Sequence, residues 1–456
     1  MDLNEKCGVI GIYGTESDVS RLAYYGLWTL QHRGQENSGI ACSNGKRVLI
    51  HKGKGLVAHV YTESDIKRLT GYIAIGHNRY STFGKSNVDH SQPVFHNSLA
   101  LVHNGNLPRV NKLKRFLTTN GISSEGLNDS EMMHAAIKYW YIKGKSIQDS
   151  IINCYPLFTG AFSALVMDKK TLVAIRDPFG IRPLSIGKVN GTYIFSSETC
   201  TFDTLGATFV RDVNPGEMVW VDSTGLHSEI LAKGTINLDV FEFIYFARPD
   251  SMLMGKSIYE VRKNLGIQLA KESKIKADIV IAVPDSGIPS AIGYSEYSGI
   301  PLELSLIKNR YIHRTFIKPA QKQRHSGVSM KLNLIPHTVK GKRVIIIDDS
   351  IVRGTTSKKL AELVKSCDPK SIHFLVTSPP VKYPDFYGID TPNQSELISA
   401  RLNEKELAEF IGVDSVSFLS FDGMVNAIGV KKEDLCTSCF TGIYPIDIGK
   451  KRIKHI

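Results

Sequence analysis

Val344-Ile345-Ile346-Ile347-Asp348-Asp349-Ser350-Ile351-Val352-Arg353-Gly354-Thr355-Thr356-Ser357 is the stretch from which the fold of this chain is best read. Its first four residues form a continuous apolar run, the pattern of a strand buried on both faces of a parallel sheet. That strand delivers two adjacent carboxylates, Asp348 and Asp349, to its carboxyl end. The Gly354-Thr355-Thr356-Ser357 turn then opens a helix, expected from Thr356 to Lys365. Backbone N–H groups of Gly354 to Ser357 would point at a phosphate, helped by three hydroxyls and the helix dipole. Asp348 and Asp349 can accept hydrogen bonds from ribose hydroxyls and hold Mg²⁺ directly or through water. An acidic turn with an N-capping threonine explains Asp349 or Thr355 singly, but not the whole string. No Gly-Lys-Ser/Thr closes the loop, so it is not a Walker loop.

The same texture extends on both sides. Ile279-Val280-Ile281-Ala282-Val283 is a second continuous apolar run and ends in Pro284-Asp285-Ser286-Gly287. Before it, Ser257 with Glu260 three residues on is a capping-box pattern, followed by an apolar stripe at Ile258, Val261, Leu265 and Leu269. From about residue 236 the chain therefore reads as α/β, with helices covering a sheet. Arg314 to Lys331 carries Arg314, Lys318, Lys322, Arg324, His325 and Lys331. It reads as a mobile loop, either a surface connection or a basic lid for an anionic ligand.

Residues 7–235 have another character. Short apolar strands recur at Val9–Ile12, Ile73–Ile75, Leu99–Val102, Ala161–Met167, Leu172–Ile175 and Met218–Val221, each followed by Gly, Asn, Asp or Pro. Helical spacing intervenes at Val19, Leu22, Leu27 and Leu30. The expectation is an antiparallel α+β unit. Composition agrees with a multidomain globular chain: 456 residues, 42% hydrophobic and 22% charged, leave room for two to four domains and exclude a disordered or disulfide-stapled protein. The net charge of +12 is spread thinly, which suits phosphate-bearing small molecules better than nucleic acid, because no compact basic block is present. Seven cysteines, an odd number, argue for a reducing compartment. Met1–Lys6 has no apolar core of a signal peptide, and no apolar run approaches a membrane span, so a cytoplasmic protein without membrane contact is expected.

The chemistry of the first unit starts at Cys7. Alone, a Cys-Gly pair at a strand start is more often structural. If Met1–Lys6 were removed, however, Cys7 would carry a free α-amine, whose ordinary pKa of ~7.7–8.0 suits it to act as base for its own thiol. Attack of the thiolate on an amide carbonyl produces an oxyanion. Asn104 Nδ and the Gly105 N–H, placed at a tight Asn-Gly turn after a strand, could donate to it. Arg79 can hold an α-carboxylate in a bidentate pair, and Asp129 an α-ammonium. A hairpin turn explains Asn104-Gly105 alone, and a surface ion pair explains Arg79 alone; the combination is harder to dismiss.

Cys7-Gly8-Val9-Ile10-Gly11, Gln31-His32-Arg33-Gly34-Gln35, Gly76-His77-Asn78-Arg79-Tyr80 and His103-Asn104-Gly105-Asn106 together resemble the class II glutamine amidotransferase domain. The resemblance implies the N-terminal-nucleophile hydrolase fold, an α/β/β/α sandwich. It also implies a propeptide at 1–6, a glutaminase domain at 7–235 and Cys7 as the residue that attacks the glutamine amide. Arg79 and Asp129 would bind glutamine, and Asn104 and Gly105 would form the oxyanion hole. The Val344–Ser357 string resembles the 5-phosphoribosyl 1-pyrophosphate (PRPP) signature of type I phosphoribosyltransferases, implying a parallel-sheet domain with a C-terminal extension at 236–456. Val283–Gly287 is similar to that family's pyrophosphate loop, with Ser286 near the metal. Lys308, Arg310 and Arg314 are candidate pyrophosphate contacts at the start of a loop, 311–331, expected to close over PRPP.

The two halves in one chain resemble the amidophosphoribosyltransferase family. That implies PRPP, glutamine and water giving 5-phosphoribosylamine, glutamate and pyrophosphate, the opening step of purine nucleotide synthesis. It further implies one Mg²⁺ per subunit, purine nucleotides as inhibitors, a homotetramer, and a closed apolar passage for ammonia. A subset of the family holds a [4Fe–4S] cluster on four cysteines. Here Cys436-Thr437-Ser438-Cys439 matches the last pair, while Asp239 and Asp385 stand at the earlier two positions. Two thiolates are too few for a conventional cluster, and none is expected. Two rivals remain open: an amidotransferase acting on another phosphosugar, which would need sugar-isomerase domains, and a PRPP-sensing regulator that binds nucleic acid, which would need a dedicated basic face.

Overall fold

The architecture follows from where alternate strand residues can be buried. The computed structural model describes residues 7–14, 18–79, 91–309, 332–388, 393–449 and 453. In the first half, Gly8–Tyr13 runs antiparallel between Thr192–Ser196 and Ile73–Arg79, inside a seven-stranded sheet. A six-stranded antiparallel sheet, centred on Leu99–Arg109, Thr159–Met167 and Leu172–Arg176, stacks on it. Val9, Ala41 and Ile75 from one sheet meet Val102, Leu165 and Ala174 from the other. Their neighbours point outward: Ile10, Ile12 and Ala74 pack on Ala23 and Leu27 of the Val19–Thr29 helix. Leu99, Leu101, Ala164 and Val166 pack under the helices Asn111–Thr119, Asp129–Tyr141 and Ile147–Cys154. Because side chains alternate across a strand, both sheets are buried on both faces, and the result is four layers, α/β/β/α.

The second half is built on a parallel sheet in the order Leu302–Glu303, Ile279–Ala282, Arg343–Asp348, Ser371–Val376, Ser415–Phe418. Val280, Ala282, Ile345 and Ile347 face the helices Ile258–Glu272 and Ile288–Ser298. Ile279, Ile281, Val344 and Ile346 face Thr355–Lys365 and Glu404–Ile411. Burying an isoleucine stabilises by roughly 1.5–3 kcal/mol, and helices on both faces bury every residue of these runs. Ser257 caps its helix by accepting from the Glu260 N–H, as the spacing predicts, and Ile258, Val261, Leu265 and Leu269 are all buried.

One local expectation fails. Asn104-Gly105 is not a turn: both residues lie inside Leu99–Arg109, opposite Ser163 and Phe162. Gly105 has φ +139°, and a Cβ there would lie 2.1 Å from the Ala161 carbonyl oxygen. The Asn-Gly pair here admits a close strand rather than reversing the chain.

The junction between the halves is tied to both. N–H groups of Thr235, Asn237 and Asp239 donate to Pro178, Phe179 and Ile181, while Leu238–Asp239 pairs in parallel with Leu435–Cys436. A short π-helix, Glu242–Phe246, follows and packs into the core of the second half. No described helix is long and apolar enough to cross a membrane.

Candidate active site

Cys7 immediately precedes the Gly8–Tyr13 strand and is half-buried. The register Gly8↔Asn78 and Val9↔His77 carries Cys7 to the level of Arg79. Gly34 lies against the same place, its Cα so close to the Asn78–Arg79 backbone that a Cβ would come within 2.7 Å of the Arg79 nitrogen. Across the layers, the Leu99–Arg109 strand brings up His103, Asn104 and Gly105. His77 faces the His103 backbone, and burial, then Arg79 and His103, push its imidazole down to about 3. Both strands therefore deliver their chemistry to one end of the sandwich.

Asp129 arrives from the first turn of the Asp129–Tyr141 helix, which Asn128 and Glu131 close with a capping box. Its Oδ2 accepts from the Leu107 N–H at 3.1 Å, so the carboxylate sits beside the strand that carries Asn104 and Gly105. Gln92 braces the arrangement: its Nε2 donates to Ser130 Oγ at 3.1 Å and its Oε1 accepts from the His103 N–H. Asn104 Nδ2 is buried and has no hydrogen-bond partner among the described residues. A buried amide donor without an acceptor is costly, and an oxyanion would satisfy it.

In the second half, Asp348 ends its strand and Asp349 follows, and both are buried. Asp349 Oδ2 accepts from Ser286 Oγ at 2.5 Å and Oδ1 from Ser350 Oγ at 2.6 Å. The Asp348 Oδ1 accepts from the Asp349 N–H at 2.9 Å. The Pro284–Gly287 loop and the Asp348-Asp349 pair thus meet, as the sequence suggests. Gly354 then opens Thr355–Lys365, one residue earlier than expected, with φ +75° and no side chain to cap the first turn. The N–H groups of this eleven-residue helix point toward the same carboxyl end of the sheet. Lys308 Nζ is paired with Asp285 Oδ2 at 2.5 Å, at the rim of this loop. Arg310, Arg314 and the rest of the 311–331 loop lie outside the described residues.

A cavity of about 330 Å³ opens between the two halves, beside Ser286 and Lys308. His32 and Gln35 line it from the first half; Tyr245, Phe246, Ser286 and Lys308 line it from the second. Behind it lies a buried ion network that the sequence did not reveal: Arg33 bonds Glu198 and Glu242, and Arg182 lies 3.3 Å from Glu242 and 3.1 Å from Asp239. Its members are scattered over more than 200 positions without periodicity or motif spacing, so no local signal could have found them.

Asp239, Asp385, Cys436 and Cys439 do come together. Burial, then Asp239 and Asp385, push the Cys436 and Cys439 thiols well up.

Comparison with known proteins matches residues 77–204 to the glutamine amidotransferase domain family and residues 254–380 to the phosphoribosyl transferase domain family. The amidophosphoribosyltransferase of Synechocystis sp. is 46% identical over 453 residues, covering 97% of this chain and 92% of its own. That of Bacillus subtilis is 44% identical over 458 residues, covering 98% and 95%. The solved glutamine PRPP amidotransferase from B. subtilis, complexed with ADP and GMP, superposes with a TM-score of 0.91 at 42% identity, covering 98% of this chain and 99% of that one. Matches to both domain families, with 42–46% identity sustained over nearly the full length of this chain and of these relatives, mean that this chain belongs to the amidophosphoribosyltransferase family.

Proposed function

We propose that the chain hydrolyses glutamine at Cys7 and transfers the ammonia to C1 of PRPP, giving 5-phosphoribosylamine, glutamate and pyrophosphate, and so opens purine nucleotide synthesis. What supports this reading is that one chain carries both half-sites, Cys7 at the level of Arg79 and Ser286 on Asp349, with a cavity lined by His32 and Gln35 from the first half and by Ser286 and Lys308 from the second. The glutaminase unit is taken as residues 7–235 and the transferase unit as 236–456, with Met1–Lys6 a propeptide. Its removal frees the Cys7 α-amine, which takes the thiol proton as Sγ attacks the glutamine side-chain carbonyl. Asn104 Nδ2 and the Gly105 N–H receive the oxyanion. Arg79 holds the substrate carboxylate and Asp129 its ammonium. Collapse of the adduct breaks the C–N bond, and the leaving nitrogen takes a proton and departs as ammonia. Water then hydrolyses the Cys7 thioester, releasing glutamate and restoring the thiol.

In the second half the first turn of Thr355–Lys365, with Thr355, Thr356 and Ser357, binds the 5-phosphate. Lys308, Arg310 and Arg314 bind the pyrophosphate. Ammonia attacks C1 of the ribose as the bond from C1 to the pyrophosphate oxygen breaks. Asp348, Asp349 and Ser286 present only hard oxygen donors, and the Asp349 carboxylate is buried with hydroxyls for partners, a set that fits Mg²⁺. One such ion per subunit would supply charge neutralisation of the departing pyrophosphate. Purine nucleotide inhibition, a homotetramer and a cytoplasmic location complete the proposal; the first is supported by the B. subtilis relative solved with ADP and GMP.

The decisive experiment measures glutamate release from glutamine, with and without PRPP and Mg²⁺, in wild type and Cys7→Ala. Release that requires Cys7, together with phosphoribosylamine formed only with PRPP, is the expected result. Release independent of Cys7 would overturn the glutaminase assignment, and PRPP binding without product would leave a sensor.

A further inference from the structure

Glu198 is fully buried directly after the Thr192–Ser196 strand, and its carboxylate is a meeting point for both halves. From the first half, His32 Nε2 lies at 2.6 Å, Arg33 Nε bonds the same oxygen, and Cys200 Sγ is at 3.7 Å. From the second half, the Arg248 backbone N–H and Ser251 Oγ each donate to Oε2 at 2.8 Å. Burial pushes this carboxyl up, but Arg33 and then His32 outweigh it and hold it well below the ordinary carboxylate range. The charge is therefore kept, at a position where an unpaired carboxylate would be prohibitive.

What Glu198 joins is more specific than two domains. Its neighbour Ser197 exchanges bonds with Val9: Ser197 Oγ accepts from the Val9 N–H at 3.0 Å, and the Ser197 N–H donates to the Val9 carbonyl at 3.1 Å. Val9 lies in the Gly8–Tyr13 strand, two residues after Cys7. On the other side, Arg248 and Pro249 line the shared cavity together with Ser286, whose hydroxyl is on Asp349. The segment that carries them is pinned at its far end by Arg262, which donates to the Phe243 carbonyl at 2.9 Å and to the Ala247 carbonyl at 2.8 Å. Residues 243–251 are thus a short rigid span, held by Arg262 at the phosphoribosyl side and by Glu198 at the glutaminase side.

We propose that Glu198 is a positioning residue that couples glutamine hydrolysis at Cys7 to occupancy of the phosphoribosyl site, by holding the Arg248–Ser251 wall of the cavity and the Cys7 strand as one body. The inference rests on the function proposed above. A carboxylate serving only to fill the interface would affect folding and leave the coupling intact; one that transmits occupancy affects the coupling while each half-reaction survives.

The test uses the full chain as wild type, Glu198→Gln and Ser251→Ala. The readout is the rate of glutamate release with saturating PRPP and Mg²⁺ divided by the rate without them, alongside phosphoribosylamine synthesis from free ammonium. Coupling between sites typically amounts to about 5–150-fold. In Glu198→Gln this ratio is expected to fall to near unity while ammonium-dependent synthesis persists. Ser251→Ala, which removes one of the charge-assisted bonds to Glu198, should lower the ratio by about threefold or more. An unchanged ratio in Glu198→Gln overturns the proposal. If Glu198→Gln fails to fold and loses both half-reactions, Ser251→Ala decides: a wild-type ratio overturns, a lowered one supports. Wild type that releases glutamate without any response to PRPP also overturns it, whereas wild type that releases no glutamate overturns the underlying function and the coupling with it.

Discussion

Asn104 Nδ2 is buried without a hydrogen-bond partner among the described residues, whereas the buried Asp239 Oδ2 lies 3.1 Å from the Arg182 guanidinium. Asn104 is an unspent donor at the mouth of the glutaminase site. Its replacement by alanine should lower glutamate release by about 10²–10³-fold, the usual loss for one oxyanion donor, and leave synthesis from free ammonium unchanged. Both rates are read in one steady-state assay. Asp239 is an acceptor in a crowded acidic corner: burial pushes its carboxyl up to about 7, Arg182 opposes this, and Asp385 and Glu242 add to it. A folded-state value above the unfolded one means that the native protein binds more protons between them. Asp239 therefore contributes stability that is complete below about pH 4 and is lost as pH rises to about 7, at no more than ~1.4 kcal/mol per pH unit. Asp239→Asn should gain stability relative to wild type across that window, and thermal unfolding at pH 4, 5.5 and 7 measures the difference.

At the scale of elements, the strand–turn–helix from Arg343 to Lys365 is where the phosphate site proposed above is placed. The strand ends in Asp348, the turn reverses at Gly354 with φ +75°, and the helix dipole then points back to the sheet edge. A Cβ on Gly354 would lie 2.9 Å from Ile398 Cδ1. Gly354→Ala should cost roughly 1–2 kcal/mol from the left-handed backbone alone. By tilting the first turn it should raise the KM for PRPP while basal glutamate release stays as in wild type. A KM unchanged beside a lowered Tm would mean that the turn is structural only. These elements were legible because the physics is local: two buried faces demand a continuous apolar run, and a phosphate turn demands glycine and hydroxyls in order. The Asn104-Gly105 pair was misread for the same reason in reverse. Local turn preference lost to pairing with Ser163 and Phe162, an interaction almost sixty residues away.

For the whole molecule, the interface is electrostatic at its centre. Arg33 and Arg182 are shared among Glu198, Glu242 and Asp239, and these side chains are nearly or fully buried. Removing one member strands the others: Glu242→Ala leaves Arg33 and Arg182 each short of a carboxylate and should cost ~3–5 kcal/mol. Differential scanning calorimetry should show a lowered transition that includes both halves. A shift confined to the second half would mean that the network does not join them.

The sequence by itself determined the two fold classes, and it placed Cys7 at the start of a strand of the first sandwich and the Asp348-Asp349 pair at the carboxyl end of a strand of the parallel sheet. Each of these is a short string whose chemistry is complete within a dozen residues or so. Only the tertiary structure decided that residues of both halves line one cavity, that Asp129 reaches the Asn104 strand through the Leu107 N–H, and that Glu198 ties the first half to Arg248 and Ser251. The physical reason is distance along the chain. A buried carboxylate is tolerated only when cations and donors converge on it, and for Glu198 those groups lie up to 166 positions away, where no local spacing can announce them.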